Sequence, residues 1–477
     1  MSRDRLWLAL AILLPALAAT IAPMSTVDLA YQVRAGDLML GSLAVLHRDP
    51  FTFTAFGEPW LNQQWGAGIV FSVVHGLAGW GGLAILRVVL VGTAAALVVL
   101  ASRRWLPARP AALLVLVGFV VGIASLGLRA QLFGIVLFAA VLAILAWRED
   151  RPRLVWAIPL LVLAWANLHG SFFLGPAAVA IALFQDLLAR HPAARRLLAV
   201  LALSLLATGI TPFGPAVWGY AVGVATNPEI TRLITEWQRT SPLTVTGALF
   251  YASVAGAVAV VVRAARGEGP PLPVLTLAWL AGLAFLGAYA ERGVAWWAFG
   301  APVALAPVIA SLRPPAVAPR EDPRRLRLLN AVVVAALGLA ILVAQPLWRS
   351  GDELSGPAGL LRDAPGGLAR SLVALAGPTD RAVVPQPWAS WFEWAAPGVR
   401  VMVDSRVEVT PASAWADYAT ILGGGQTALS ALDRIAATIV VVDPVTQSRL
   451  DLALRSFNSG WRLAYEDTDG LVFERLR

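Results

Sequence analysis

Apolar residues fall in long blocks along most of this chain, with polar residues gathered at the seams between them. The blocks run to about 18–20 residues, enough for a helix to cross a hydrocarbon core about 30 Å thick. The pattern predicts spans over residues 6–24, 83–101, 111–128, 130–147, 154–168, 171–189, 197–211, 246–262, 272–290, 294–312 and 328–347. Helices satisfy their own backbone groups in lipid, so a polytopic α-helical membrane protein of about eleven transmembrane helices follows. Two stretches break the rhythm. Residues 25–65 are polar, acidic and aromatic, and residues 66–82 are apolar but short and interrupted by glycine. The second predicts a helix lying at the interface or half inserted rather than a full crossing. For residues 6–24 the alternative is a cleaved signal peptide, with small residues near Ala16 and Ala18.

Beyond residue 348 the apolar runs shorten and charge rises. Residues 381–386, 399–404 and 438–443 predict buried strands, with helices around 411–424 and 444–457. Residues 461–475 predict a hairpin turning at Asp469-Gly470. Strands alternating with helices predict a small soluble α/β domain over 381–477 with a partly parallel sheet. A Gly-, Pro- and Ala-rich linker with approach helices, 348–380, joins it to a transmembrane domain over 1–347.

Composition sharpens this picture. The mean hydropathy is +0.71, with 58% hydrophobic and 14% charged residues. The chain has no cysteine, which excludes disulfides and thiolate metal sites. Every basic side chain is arginine, as a compositional bias would leave it, so the sequence pI of 10.7 is no sign of nucleic-acid binding. The arginines instead follow topology. Arg3 and Arg5, Arg103, Arg104 and Arg109, Arg148, Arg151 and Arg153, and Arg190, Arg195 and Arg196 fall on alternate connections. Arg263 and Arg266, then Arg313, Arg320, Arg324, Arg325 and Arg327 continue the set. The other connections carry fewer: Arg34 and Arg48, Arg129, Arg232 with Arg239, and Arg292. The bias predicts a cytoplasmic N-terminus in a cell inner or plasma membrane. The first loop 25–65, the 212–245 loop and the C-terminal domain then face outward.

Candidate chemistry gathers in the first loop, which holds Asp28, Asp37, Asp49 and Glu58. Ser25-Thr26-Val27-Asp28 has capping-box spacing, one explanation of Asp28. A helix over 27–42 would also align Asp28, Tyr31, Gln32 and Ala35 on one face, an acid with two hydrogen-bonding neighbours. Such a face could orient a sugar hydroxyl for deprotonation. Asp49 precedes Pro50 and reads either as a turn former or as a second acid. Glu58 sits in the turn Gly57-Glu58-Pro59-Trp60.

Further polar groups recur at outer span ends: Arg129 with Gln131, Asn167 with His169, Glu236 with Trp237 and Arg239, and Glu291 with Arg292. Ionisable groups at membrane depth usually pair or serve a site. Arg129 and Arg292 read as snorkelling charges or as a clamp for a lipid phosphate. His169 reads as an interhelical hydrogen-bonding group, with a metal role left open; four scattered histidines show no metal-ligand spacing. Asp404-Ser405-Arg406 directly follows a strand, as a local ion pair or a ligand site. No Walker, Gly-rich phosphate or GxSxG motif supports soluble nucleotide or hydrolase chemistry.

These pieces together resemble the GT-C superfamily of membrane glycosyltransferases. The resemblance rests on an early first-loop Asp28, the helix 27–42, HRDPFTFTAFGEPW, the 66–80 segment and GGLAILR ending at Arg87. RAQLF (129–133), WANLHGSF (165–172), TPFG (211–214) and ITEWQRTSP (234–242) are similar to a bacterial branch of that superfamily with an outward α/β domain. The resemblance implies transfer of a sugar from a polyprenyl-phosphate donor to an outward glycan, lipid or protein acceptor. Asp28, with Asp49 as a second candidate, would be catalytic, and Asp28 as general base gives inversion. From the residues themselves, Tyr31, Gln32, Glu58, Arg129, His169, Glu236 and Arg292 are the candidate substrate-binding set. No cofactor is firmly implied, and a divalent cation stays open. Two other readings remain: a transporter of a lipid-linked substrate, and a non-catalytic scaffold displaying the C-terminal domain. A transporter predicts inverted repeats, and none is visible.

Overall fold

The computed structural model describes residues 1–267, 272, 274–313 and 322–476. In chain order the first helices are α1 (Arg3–Ile21), α2 (Leu29–Ser42), α3 (Trp65–Ser102), α4 (Ala108–Gly122), α5 (Ala130–Ala146) and α6 (Ile158–Leu168). Next come α7 (Leu174–Leu188), α8 (Ala194–Ala207), α9 (Ala216–Thr226), α10 (Pro228–Leu233), α11 (Val245–Ala265), α12 (Val274–Tyr289), α13 (Val294–Ser311) and α14 (Arg324–Val343). The last five are α15 (Gly366–Leu375), α16 (Gln386–Ala395), α17 (Ala412–Leu422), α18 (Gly425–Arg434) and α19 (Ser448–Leu454). The strands begin with β1 (Met24–Ser25), β2 (Gly351–Asp352), β3 (Gly356–Pro357), β4 (Leu361–Arg362) and β5 (Arg381–Val383). They end with β6 (Arg400–Val401), β7 (Ile439–Val442), β8 (Trp461–Glu466) and β9 (Leu471–Arg475).

The chain divides into two compact units. Met1–Ala22, Ala84–Thr226 and Thr231–Trp348 make the first; Pro23–Leu83, Asn227–Ile230 and Arg349–Arg477 make the second.

The first unit is helical. Among the described residues of the whole chain, seven helical stretches are long and apolar enough to cross a membrane. The expected spans at 130–147, 154–168 and 272–290 form shorter apolar helices. Arg320 of the arginine pattern and residue 273 of the ninth expected span lie outside the described residues. The packing centre is α13, which is buried along nearly its whole length and contacts α4 and α12. Gly118 of α4 lets the backbones close in: a Cβ there would lie 2.2 Å from the Ala298 carbonyl oxygen. Small residues at helix crossings give this close approach in place of the hydrophobic effect, which lipid does not supply. Buried Arg87 donates to the Ala22 carbonyl that ends α1.

The expected interfacial helix 66–82 and span 83–101 form one element, α3, interrupted at Ala78 and Gly79. Gly79 has φ 57°, a left-handed conformation that glycine adopts at little cost. The 212–245 loop contains α9 and α10, which its mixed pattern did not suggest.

The second unit carries a five-stranded sheet in the order β6-β5-β7-β9-β8. β6, β5 and β7 are parallel, and β9 runs antiparallel to both β7 and β8. All three expected strands and the hairpin are present, with the hairpin turning between Glu466 and Leu471. The expected partition into a linker at 348–380 and a separate 381–477 domain differs from this unit. Residues 351–375 supply β2, β3, β4 and α15 to it, and the first loop belongs to it as well. The cause is pairing across the sequence. β1 lies parallel to β4, with Met24 opposite Leu361. Phe53 N–H donates to the Val401 carbonyl at 2.9 Å, so the first loop covers the β6 edge of the sheet. Helix α2 packs on α16, and Gly36 comes so near α3 that a Cβ would lie 2.2 Å from the Gly68 oxygen.

Candidate functional site

Asp28 is the residue immediately before the first turn of α2 and is half-buried. The capping box read from Ser25-Thr26-Val27-Asp28 does not form. The Thr26 hydroxyl instead donates to the Asp363 carbonyl at 2.7 Å, and the Ser25 hydroxyl to the Asp363 carboxylate at 2.8 Å. Asp28 stands at the N-cap itself, yet its side chain makes no cap hydrogen bond. Three residues on, the Tyr31 N–H donates to the buried Ser390 hydroxyl of α16 at 2.8 Å. The Val27 carbonyl accepts from the Ser405 hydroxyl at 3.2 Å. The C-terminal segment thus grips the chain on both sides of Asp28.

Tyr31 and Gln32 are buried. Burial, followed by the Asp28 charge, pushes the Tyr31 phenol well above its usual value. Gln32 donates to the Gln64 side-chain oxygen at 2.6 Å, while its own carbonyl oxygen has no hydrogen-bond donor.

Asp49 takes the turn-forming alternative: its carboxylate accepts from the Phe51 N–H at 3.2 Å and the Thr52 N–H at 3.0 Å. It is 2% exposed, accepts from the Thr52 hydroxyl at 2.5 Å, and pairs with Arg406 Nη2 at 2.7 Å. Both oxygens are committed within the fold, the arrangement of a structural acid rather than of a base facing substrate. Glu58 is exposed on the surface, and only its backbone takes part in the loop, its carbonyl accepting from Asp49 N–H.

Arg406 is the hub of this buried cluster. Its guanidinium binds Asp404 through Nε at 2.9 Å and through Nη2. It also lies 4.5 Å from the Trp60 ring centroid, 4.9 Å from Phe51 and 5.4 Å from Tyr31. Burial opposes its charge, but Asp404, Asp49 and Glu393 outweigh burial and hold its pKa above the ordinary arginine value. Glu393 is 2% exposed and receives no hydrogen bond on either oxygen. Burial, then the Asp404 charge, pushes its carboxyl well above the usual range. The sequence offered two signals for this cluster. Glu393 is a lone acid in Trp391-Phe392-Glu393-Trp394, and Asp404-Ser405-Arg406 follows a strand.

The first unit holds the other polar gathering. Arg129, just before α5, pairs with Glu236. Arg292 lies 5.6 Å from the Trp237 ring centroid, and its carbonyl accepts from Gln131 Nε2 at 3.3 Å. Burial raises the Glu236 pKa, and the Arg129 and Arg292 charges more than offset that and lower it. His169 ends α6, 2.7 Å from the Ser171 hydroxyl, which also accepts from Trp165 Nε1 at 3.1 Å. The His169 ring is 6.3 Å from that of Trp296, in α13 four residues past Arg292. Four residues named from separate span ends, Arg129, His169, Glu236 and Arg292, thus occur in one unit, with Glu236 between the charges of Arg129 and Arg292. Among the described residues no three His, Asp or Glu gather at metal-binding distance.

No family model and no curated protein matches the chain. Solved structures do. The oligosaccharyltransferase AglB from Archaeoglobus fulgidus, in complex with an inhibitory peptide and a dolichol-phosphate, is 12% identical. The match covers 99% of this chain and 75% of AglB, with a TM-score of 0.55. ArnT from Cupriavidus metallidurans, bound to undecaprenyl phosphate, is 15% identical, with 98% of this chain and 97% of ArnT covered and a TM-score of 0.52. The similarity runs through the helices and into the C-terminal sheet domain, and the chain has the fold of the GT-C membrane glycosyltransferases.

Proposed function

We propose that this protein is a membrane glycosyltransferase that moves a sugar from a polyprenyl-phosphate donor to an outward-facing acceptor. The observation that carries the reading is the full-length likeness to two proteins captured with a polyprenyl phosphate, AglB and ArnT. Asp28 acts as general base. It takes the proton from the acceptor nucleophile as that atom attacks the anomeric carbon, and the bond from that carbon to the phosphate oxygen breaks on the opposite face. The configuration inverts, and polyprenyl phosphate leaves with the bond's electrons. A guanidinium fork suits the charge that develops on that phosphate. Arg292 supplies the fork, and Arg129, held by Glu236, adds positive charge beside it. The N-terminus is cytoplasmic in this reading, and the second unit is outside the cytoplasm, as the arginine distribution requires.

The test uses the full chain in proteoliposomes with radiolabelled undecaprenyl-phosphate glucose, galactose, mannose and arabinose, and acceptor extracted from cells lacking the gene. Wild type consumes at least one donor. Asp28→Asn lowers transfer from that donor by about 100-fold or more, the least that loss of a general base costs. Transfer at the wild-type rate by Asp28→Asn rejects Asp28 as the base. Unchanged cellular glycans after gene deletion, with no donor consumed, leave a scaffold that displays the second unit.

A further inference from the structure

At the end of α6 the two ring nitrogens of His169 have different surroundings. Nδ1 accepts the Ser171 N–H at 3.2 Å, so it carries a lone pair and no proton. The Ser171 hydroxyl, 2.7 Å away, accepts from Trp165 Nε1 and is left to donate to that same nitrogen. The imidazole is therefore neutral, with its proton on Nε2. Helix α5 closes the Nδ1 side: a Cβ on Gly134 would lie 3.0 Å from both Ser171 Oγ and Trp165 Nε1, and 3.2 Å from Nδ1. Nε2, on the other edge of the ring, makes no hydrogen bond to the described residues, although His169 is only 6% exposed. A second donor belongs to the same neighbourhood. The Arg292 charge acts on the His169 ring and on Glu236. Its half-buried guanidinium lies 5.6 Å from the Trp237 ring centroid and makes no hydrogen bond or ion pair with the described residues. One neutral and one cationic donor in this cluster of the first unit thus lack an acceptor. A buried donor left without one costs free energy, and an oxyanion would satisfy both.

We infer that His169 is a phosphate-binding residue: its Nε2–H donates to a non-bridging oxygen of the donor's phosphate, beside the Arg292 guanidinium. The inference deepens the proposed function and rests on the donor being a polyprenyl phosphate. When the bond from the anomeric carbon to the phosphate oxygen breaks, a phosphodiester with one negative charge becomes a monoester with two. A fixed donor aimed at that phosphate gains strength as the charge grows. Being neutral, it adds no buried charge of its own before the lipid arrives. The Ser171 bonds set both the tautomer and the orientation of the ring, so the turn after α6 decides which nitrogen meets the ligand.

The experiment measures binding of undecaprenyl phosphate to the full-length protein in detergent by calorimetry, with undecaprenol and inorganic phosphate as parallel ligands. Two variants separate the two nitrogens. His169→Asn keeps a side-chain acceptor for the N–H two residues on, but is too short to reach the place of Nε2. His169→Gln reaches that place with an amide N–H and gives up the bond at Nδ1. His169→Asn is expected to weaken undecaprenyl phosphate binding by about 10- to 150-fold, the factor to which one hydrogen bond to a charged oxygen converts. His169→Gln stays within about fivefold of wild type, as a neutral donor kept in place should. Undecaprenol, which lacks the phosphate, binds all three proteins alike. Unchanged affinity in His169→Asn, or a larger loss in His169→Gln, overturns the inference, because the turn at Ser171 would then be all that matters; the polyprenyl-phosphate reading would stand. An equal loss of undecaprenol binding in His169→Asn overturns it too. Displacement of the lipid by inorganic phosphate at the same concentration replaces the lipid headgroup with a free phosphate as the ligand. Wild type that does not bind undecaprenyl phosphate removes the donor reading itself. Should His169→Asn not fold, the affinity of His169→Gln decides by the same fivefold limit.

Discussion

Replacing Arg406 with methionine should be among the most damaging single changes in the second unit, and undoing it should require removing charge rather than restoring it. The side chain is 2% exposed and pairs with both Asp404, at 0%, and Asp49, at 2%. Methionine keeps a similar stem but leaves both carboxylates buried beside each other and beside Glu393. Breaking a buried pair from one side costs about 3–5 kcal/mol, mostly the unpaired charge left behind. Contact with the Trp60, Phe51 and Tyr31 rings adds to the loss, since a desolvated cation over an aromatic face is worth roughly 0.5–2 kcal/mol. For a unit of this size 1 kcal/mol moves the melting point by about 2–4 °C, so the two losses together should make Arg406→Met melt roughly 7–28 °C lower. Purified full-length protein in detergent, followed by tryptophan fluorescence against temperature, reads this directly. The triple variant Asp49→Asn, Asp404→Asn, Arg406→Met should recover most of the deficit, because exchanging a whole buried ionic set for neutral groups is often near neutral. A single variant melting within 2 °C of wild type, or a triple variant no better than the single, would refute the account.

Other outcomes follow from the same geometry. Glu393 has a raised pKa in the folded state, so above its ordinary value of 4.5 the unfolded chain has lost the proton while the folded chain keeps it. Its contribution is thus fully present below pH 4.5 and fades as pH rises; Glu393→Gln should melt higher than wild type at pH 8, with a smaller difference at pH 4. Glu236 is lowered, so its pairing is present above about pH 4.5 and lost on acidification; melting of Glu236→Gln should fall less between pH 6 and pH 3 than melting of wild type. Gly36→Ala forces a Cβ against the Gly68 oxygen and should cost about 1–3 kcal/mol, read as a lower melting point. Arg292→Lys keeps a charge but removes the fork, and should raise the donor KM more than it lowers melting; an unchanged KM would remove Arg292 from the phosphate site.

The apolar blocks carried most of the helical architecture because span length and hydropathy are local properties. α5, α11 and α13 begin within a residue of their expected starts for that reason. The strands at 439–442 and 471–475 were legible because their aliphatic runs end at turn residues. α16 was not, since its ten residues mix tryptophan, serine and glutamate with no apolar run long enough to declare itself. The role of Asp49 was hidden for a different reason. Its partner lies 357 positions later, and a residue before proline in a polar loop looks the same whether it faces solvent or a buried arginine.

The pairing of β1 with β4 carries a consequence for biosynthesis. The strand at Met24 meets its neighbour at Leu361, and the acid at Asp49 meets its counter-ion at Arg406, so the early residues leave the ribosome long before their partners exist. Throughout that interval the first loop must stay hydrated, with Asp49 in water and the Phe51 and Trp60 rings uncovered. A chain halted before residue 406 would keep its apolar helices yet hold an unclosed second unit, exposed to proteases along a segment that is resistant once the last strands arrive.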